Sequence, residues 1–389
     1  MRLTVTHPVL VVLLFSALLF VIRPSDSEGA EQSAQHPVSV KVTEQDVARF
    51  VYELAYSVRR NEVFVMAPVF ENDQNSEIKP QVIRLNGDSL KIKGATELPS
   101  AGFSTVLDDK SNTLYIGTHQ STLIAYDTVT NKVKGEIQLA KKITDKNGKS
   151  RPTHFLRQIH LDLKNKRLYI PGLSWEDSVL YVVDTRMFKL IKTINNMGVM
   201  STGITQKPDG GDIFLTNWQH EMVVIDSNTL NIKKRFSIPV DQPLFLSWNS
   251  EDGDILVVDE GMEKIYGMLK KHALNTGKRY KSKSEGNSLV VISPQSGNVL
   301  KTIPTSKQPI AVKIDNKRGR IYVTALEGGS VSIYSSKNYR HLKTLKLNPS
   351  ANSLAINPTD GSVYVSVKNF SSKNKTNKEK KEKVVRLQF

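Results

Sequence analysis

The stretch from Ser201 to Pro239, STGITQKPDGGDIFLTNWQHEMVVIDSNTLNIKKRFSIP, constrains this chain more than any other feature, because close variants of it recur from about residue 50 to the C-terminus. It reads as a short strand (Ser201 to Gln206), a turn (Pro208 to Gly211) and an apolar strand (Ile213 to Thr216). A polar loop, a second apolar strand (Met222 to Ile225) closed by Asp226, a turn and an alternating outer strand (Ile232 to Phe236) complete it. Short runs rich in Val, Ile, Phe and Thr, punctuated by Gly, Pro, Asn and Asp, are strand and hairpin signals. Four antiparallel strands at a period of about 40 residues make one propeller blade.

The second strand of the unit can be followed through seven occurrences: VFVMA at Val63, LYIGT at Leu114, LYIPG at Leu168, IFLTN at Ile213, ILVVD at Ile255, IYVTA at Ile321 and VYVSV at Val363. A chain of 389 residues would ordinarily suggest two or three domains. The repeat overrides that expectation, since each blade buries its faces only against its neighbours. The last unit has strands at SLAIN, VYVSVK and Val384 to Leu387 and then the chain ends, one strand short. The N-terminal VSVKV (Val38 to Val42) is the natural donor of the missing strand, which leaves no open edge at the junction. The fold expected is therefore all-β: a seven-bladed β-propeller over 38–389, its last blade closed by an N-terminal strand, with a basic insertion at 260–287.

Ahead of the propeller, the apolar run Val9 to Ile22 follows Arg2 and falls short of the about 20 residues a membrane span requires. It reads as the core of a secretory signal peptide over 1–30, with an uncleaved inner-membrane anchor as the alternative. Small residues at Ser25, Ser27, Gly29 and Ala30 offer cleavage positions, and 31–37 reads as a flexible polar segment. The absence of cysteine suits export to an oxidising compartment and removes thiolate chemistry.

Several segments together resemble the YncE family of bacterial periplasmic seven-bladed propellers: YELAYS at Tyr52, MSTGI at Met200, FLTN at Phe214, IYVTA at Ile321, NSLAI at Asn352 and VYVSVKN at Val363. The resemblance implies a periplasmic propeller without an established enzymatic activity and able to bind single-stranded DNA. It also implies a kept arginine at the position of Arg157. The long segment between Val258 and Ser288 departs from the tight loop of that family.

Propeller geometry sorts the loops. Connections from strand two to strand three, and from one blade to the next, share one face, which here is irregular; the hairpins from strand one to two are minimal turns on the other. Of the formal net charge of +16, Lys141 to Arg151 holds +4, Lys264 to Gly286 +6 and Lys373 to Lys383 +4, all on the irregular face. A concentrated positive face attracts polyanions, with an affinity that falls as salt rises. Aromatic and imidazole side chains fall among the same loops, so that bases of a single strand could stack while cations follow the phosphates. The residues so nominated are Arg151, His154, Phe155, Arg157, Trp175 and Trp218, with His220, Phe245, Lys278, Arg279 and Lys281. Plainer readings stand beside them. Trp175 and Trp218 serve equally as caps on the core, Phe155 and Phe245 as packing near the axis, Arg157 as one half of a buried ion pair, and the lysine-rich loops as solvated segments.

His154 and His160 have the wrong spacing for a metal pair, and NSEDGD at Asn249 lacks the continuation of a calcium loop. No G-x-S-x-G, H-E-x-x-H or G-x-G-x-x-G occurs. No cofactor and no metal are expected. The reading is a monomeric, non-enzymatic periplasmic protein binding single-stranded DNA or another polyanion, with no membrane span in the mature chain. The alternatives are an axial, lactonase-like enzyme assembled from His154, Arg157, Asp259 and Glu327, and a scaffold for an envelope protein partner.

Overall fold

The second position of each second strand shows why the repeat folds as it does. It is Phe64, Tyr115, Tyr169, Phe214, Leu256, Tyr322 and Tyr364 in successive units, and every one is buried. These large side chains point into the spaces between adjacent sheets, where seven separate apolar clusters form. Their polar ends are used as well: the Tyr364 hydroxyl donates to the Gly87 carbonyl of the neighbouring blade at 2.9 Å.

In the computed structural model of the chain, residues 39–69, 78–144, 148, 150–369 and 380–389 are described. They form seven antiparallel blade sheets, in six of which the strands lie side by side in chain order, and one small hairpin. The sequence-derived signal peptide, the segment 31–37, and most of the Lys373 to Lys383 loop lie outside the described residues. No helix among the described residues is long and apolar enough to cross a membrane.

The turns are fixed by side chains legible in the repeat. Asp127, Asp184 and Asp226, each closing a third strand, accept hydrogen bonds from backbone amides two and three residues on. Asp108 and Asp162 do the same after first strands. Such local carboxylate-to-amide bonds are the reason Asp punctuates turns.

Blade seven consists of Ser350–Ile356, Val363–Lys368, Glu382–Gln388 and, outermost, the chain's first strand, Lys41–Ala48. Lys41 pairs with Gln388 and Ala48 with Glu382. The N-terminal closure stands as expected, but the strand is Lys41–Ala48 and not Val38 to Val42. The polar run TEQD can supply an outer strand because that strand buries little, while Val40 packs just before it. Arg386 then ties this blade to the first, donating to Asp360 at 3.1 Å and to the Asp88 carbonyl at 2.9 Å.

Blade three departs from the pattern. Its innermost strand is split into Phe155–Leu156 and His160–Asp162, both paired with Arg167–Leu173, so residues 157–159 are freed from the ladder. Gln158 uses that freedom to reach across to two other blades, donating to the Leu244 carbonyl and accepting from the Ile204 amide, both at 3.0 Å. Just before it, Lys142–Thr144 and Ser150–Pro152 make a small separate hairpin.

The basic insertion folds. After the second strand of blade five (Asp254–Asp259) the chain forms helix α1, Glu263–Asn275, and returns along an extended strap to the third strand, Ser288–Ile292. The Gln242 side chain brackets Met262, the residue before the helix, through both its amide groups. Gly277, at φ +69, ends it. Leu269 is the buried residue of α1 and packs on Trp218. Both ends of the insertion meet at two glycines with positive φ: a Cβ on Gly286 would lie 2.3 Å from the Gly261 Cα, so neither position tolerates a side chain.

Candidate functional site: two clefts on the irregular face

The first cleft, of about 650 Å³, opens at the mouth of the central channel. Four rings from successive loops touch in sequence. Tyr52 meets Phe103 edge-on at 5.0 Å, Phe103 leans on His119 at 5.5 Å, and His119 stacks on Phe155 at 4.4 Å. Beside them lie two cations. Lys368 places Nζ 4.3 Å from the Tyr52 ring, and Arg157 projects from the break in the blade-three strand with its Nε buried and lacking a hydrogen-bond partner.

Carboxylates balance these cations. Glu53 accepts from the Thr105 amide at 2.8 Å, yet burial pushes its carboxyl up to about 7, against the pull of Lys313 and Arg157. Glu260 is also raised to about 7 by burial, with Arg157 opposing. Burial lowers the Lys368 ammonium, against the neighbouring Glu382. The mouth is therefore a place where charge is only partly neutralised and poorly solvated, which is typical of functional sites and also of buried ion networks.

The second cleft, of about 620 Å³, lies between α1 with its strap and the loops of blades three and four. Trp218, only 5% exposed, and Leu269 form its floor; Tyr280 and His220 form a wall, their rings 5.7 Å apart. His220 sits in a tight turn at φ +62 and donates through Nε2 to the Asp241 carboxylate at 2.7 Å. The same carboxylate accepts from the Ser282 hydroxyl and the Lys283 amide. Burial would raise Asp241, but these hydrogen bonds outweigh it and hold the group down at about 2. One carboxylate thus pins the strap to the blade-four loops. Lys278, Arg279 and Lys281 project from the strap, exposed, and form no ion pair among the described residues.

The eleven nominated residues divide accordingly. Trp218, His220, Lys278, Arg279 and Lys281 share the lateral cleft; Phe155 and Arg157 share the axial one. Trp175 meets Trp218 edge-on at 5.5 Å and the α1 residue His272 at the same distance, so it braces the helix. Phe245 faces a different cavity, of about 270 Å³, within the channel. His154 is bound to the Tyr181 hydroxyl at 2.7 Å, and burial lowers its imidazole, so it is neutral near pH 7. Arg151 stands exposed on the small hairpin. Trp218 is 5% exposed and belongs to an apolar core cluster with Leu269, as the capping reading expects. Tyr52, Phe103, Lys368, Tyr280 and Lys283 were not nominated. Tyr280 was findable, because it interrupts the basic run KRYKSK.

Three residues of the lactonase-like set already have partners of their own. His154 is engaged with Tyr181, Asp259 with the Gln242 amide, and Glu327 with Lys307 and Gln308. Among the described residues no cluster of His, Asp and Glu is arranged to hold a metal ion.

Seven blades, the last closed by an N-terminal strand, define a seven-bladed β-propeller. No protein-family model matches the chain. It is 27% identical over 282 residues to "Uncharacterized protein YncE" of Salmonella typhimurium, covering 72% of this chain and 71% of that protein. The protein of the same name from Salmonella typhi gives the same identity and coverage, and that of Escherichia coli K12 is 26% identical over 258 residues, 65% of each chain. The chain is a YncE-like seven-bladed β-propeller.

Proposed function

We propose that this chain is an exported, periplasmic binding protein that captures single-stranded nucleic acid or a comparable polyanion across its irregular face, without catalysing a reaction. The observation that carries the reading is the run of touching rings from Tyr52 to Phe155 beside Arg157 and Lys368. A single strand presents base faces to such rings, whereas a duplex hides them. The exposed strap cations and Arg151 of the blade-three hairpin add positive charge suited to phosphates. Export is supported by the apolar N-terminal run Val9 to Ile22.

The test is fluorescence anisotropy with labelled single- and double-stranded oligonucleotides across a salt series. Single strands are expected to bind more tightly and to persist in part at about 150 mM salt, where exposed charges are screened beyond about 8 Å. Phe155→Ala should weaken binding by about 1–3 kcal/mol, roughly 5- to 150-fold, at every salt concentration. Reversing Lys278, Arg279 and Lys281 to Glu should flatten the salt slope. Binding that ignores strandedness and is insensitive to both variants rejects the reading.

A second reading, an axial enzyme, draws on one feature: two carboxyls near pH 7, Glu53 and Glu260, facing one arginine. It predicts that Glu53→Gln or Glu260→Gln abolishes turnover of a substrate while leaving strand affinity intact.

A further inference from the structure

We propose that the lateral cleft under the insertion is a separate small-molecule site for an amphiphilic anion, a ligand with a flat or acyl apolar body and a single carboxylate, phosphate or sulfonate head. The proposal does not depend on polyanion capture. At about 620 Å³ the cleft has the capacity of an ordinary ligand pocket, and its composition is divided in space. The floor and inner wall are apolar and aromatic, from Trp218, Leu269 and Tyr280. The rim carries Lys278, Arg279, Lys281 and Lys283, against one carboxylate, Glu176.

Three further facts favour a built site over a gap between loops. The strap that supplies the cations is clamped, because Asp241 binds His220, Ser282 and the Lys283 amide at once. A wall held in this way loses little freedom when a ligand arrives. Second, Lys278, Arg279 and Lys281 line one cleft without carboxylate partners among the described residues, so an anionic head would meet positive charge there. Third, Trp218 is 95% removed from solvent while its indole Nε1 has no acceptor, an unusual state for a buried donor. An acceptor on a seated ligand would satisfy it. The cleft exists only because the insertion does, so the activity belongs to α1 and its strap, and not to the seven blades alone.

The probe is 1-anilinonaphthalene-8-sulfonate, which has the required body and head and fluoresces on binding. Expected are saturable 1:1 binding, energy transfer from tryptophan, and at least a tenfold loss of affinity in Lys278→Glu/Lys281→Glu. Arg157→Gln, which alters the axial cleft, should change affinity less than twofold. Decanoate should displace the probe if the head is a carboxylate on an acyl chain, and adenosine monophosphate if it is a phosphate on a ring system; either result supports the site and names its class. Displacement by decanol as effective as by decanoate overturns the requirement for an anion. Affinity unchanged by the charge reversal, or abolished by Arg157→Gln, overturns the location. A variant lacking 262–285 provides a further check, since it must lose the probe while keeping a folded propeller.

Discussion

Glu53 and Glu260 hold protons where most carboxyls have long since lost theirs. Each is raised by burial from an ordinary 4.5 to about 7. Between those values the folded chain binds more protons than the unfolded chain, so stability contributed by these groups is full at and below about pH 4.5 and falls as pH rises to about 7. Glu53→Gln/Glu260→Gln should therefore shrink the difference in melting temperature between pH 5 and pH 8, with the native protein gaining more at pH 5. An unchanged difference would mean that both carboxyls ionise normally. At this scale the sequence reveals side chains set by the repeat. The large side chain at the second position of each second strand, and the Asp that closes the third strands of blades two, three and four, follow from the repeated pattern. Arg157 was visible as a charge in an innermost strand, but its partners were not, since Glu53 and Glu260 come from blades one and five and only ring closure brings them together. The surroundings of Trp218 were not legible for a related reason. In the repeat it occupies a loop, and the side chain that buries it, Leu269, belongs to a segment outside the repeat.

The insertion shows how far spacing carries and where it stops. A widened interval between the fifth and sixth second strands located it, yet its helix was not legible, because α1 buries a single residue and exposes Met268 and Leu274. A helix held by one anchor and a clamp on its strap leaves almost no periodic signal. The touching glycines at 261 and 286 make a direct test available. Deleting 262–285 and joining them should leave the β-sheet circular dichroism and cooperative unfolding intact. It should also expose Trp218, shifting its emission to the red, and lower stability by about 2–5 kcal/mol, the usual cost of losing a buried Leu. Collapse of the whole fold would show that the insertion is part of the core.

Over the whole molecule, continuous chain links each blade to the next, blade seven to blade one through residues 49–53, and the ring is closed within blade seven by hydrogen bonds between its first and last strands, Lys41–Ala48 and Glu382–Gln388. That seam was legible in outline, from a last unit one strand short, although its register was not, because an outer strand with little burial leaves its alternation weak. Its orientation has a mechanical consequence. Lys41 lies opposite Gln388 at one end of the pair, so a load applied across these termini pulls at right angles to the strands and breaks the ladder one rung at a time. In an optical trap tethered at Ser39 and Phe389, the first release should be short and occur at low force as Lys41–Ala48 peels away, with the remaining blades yielding later. The propeller is in this sense a closed belt with a zip fastener, weak along one line of pull.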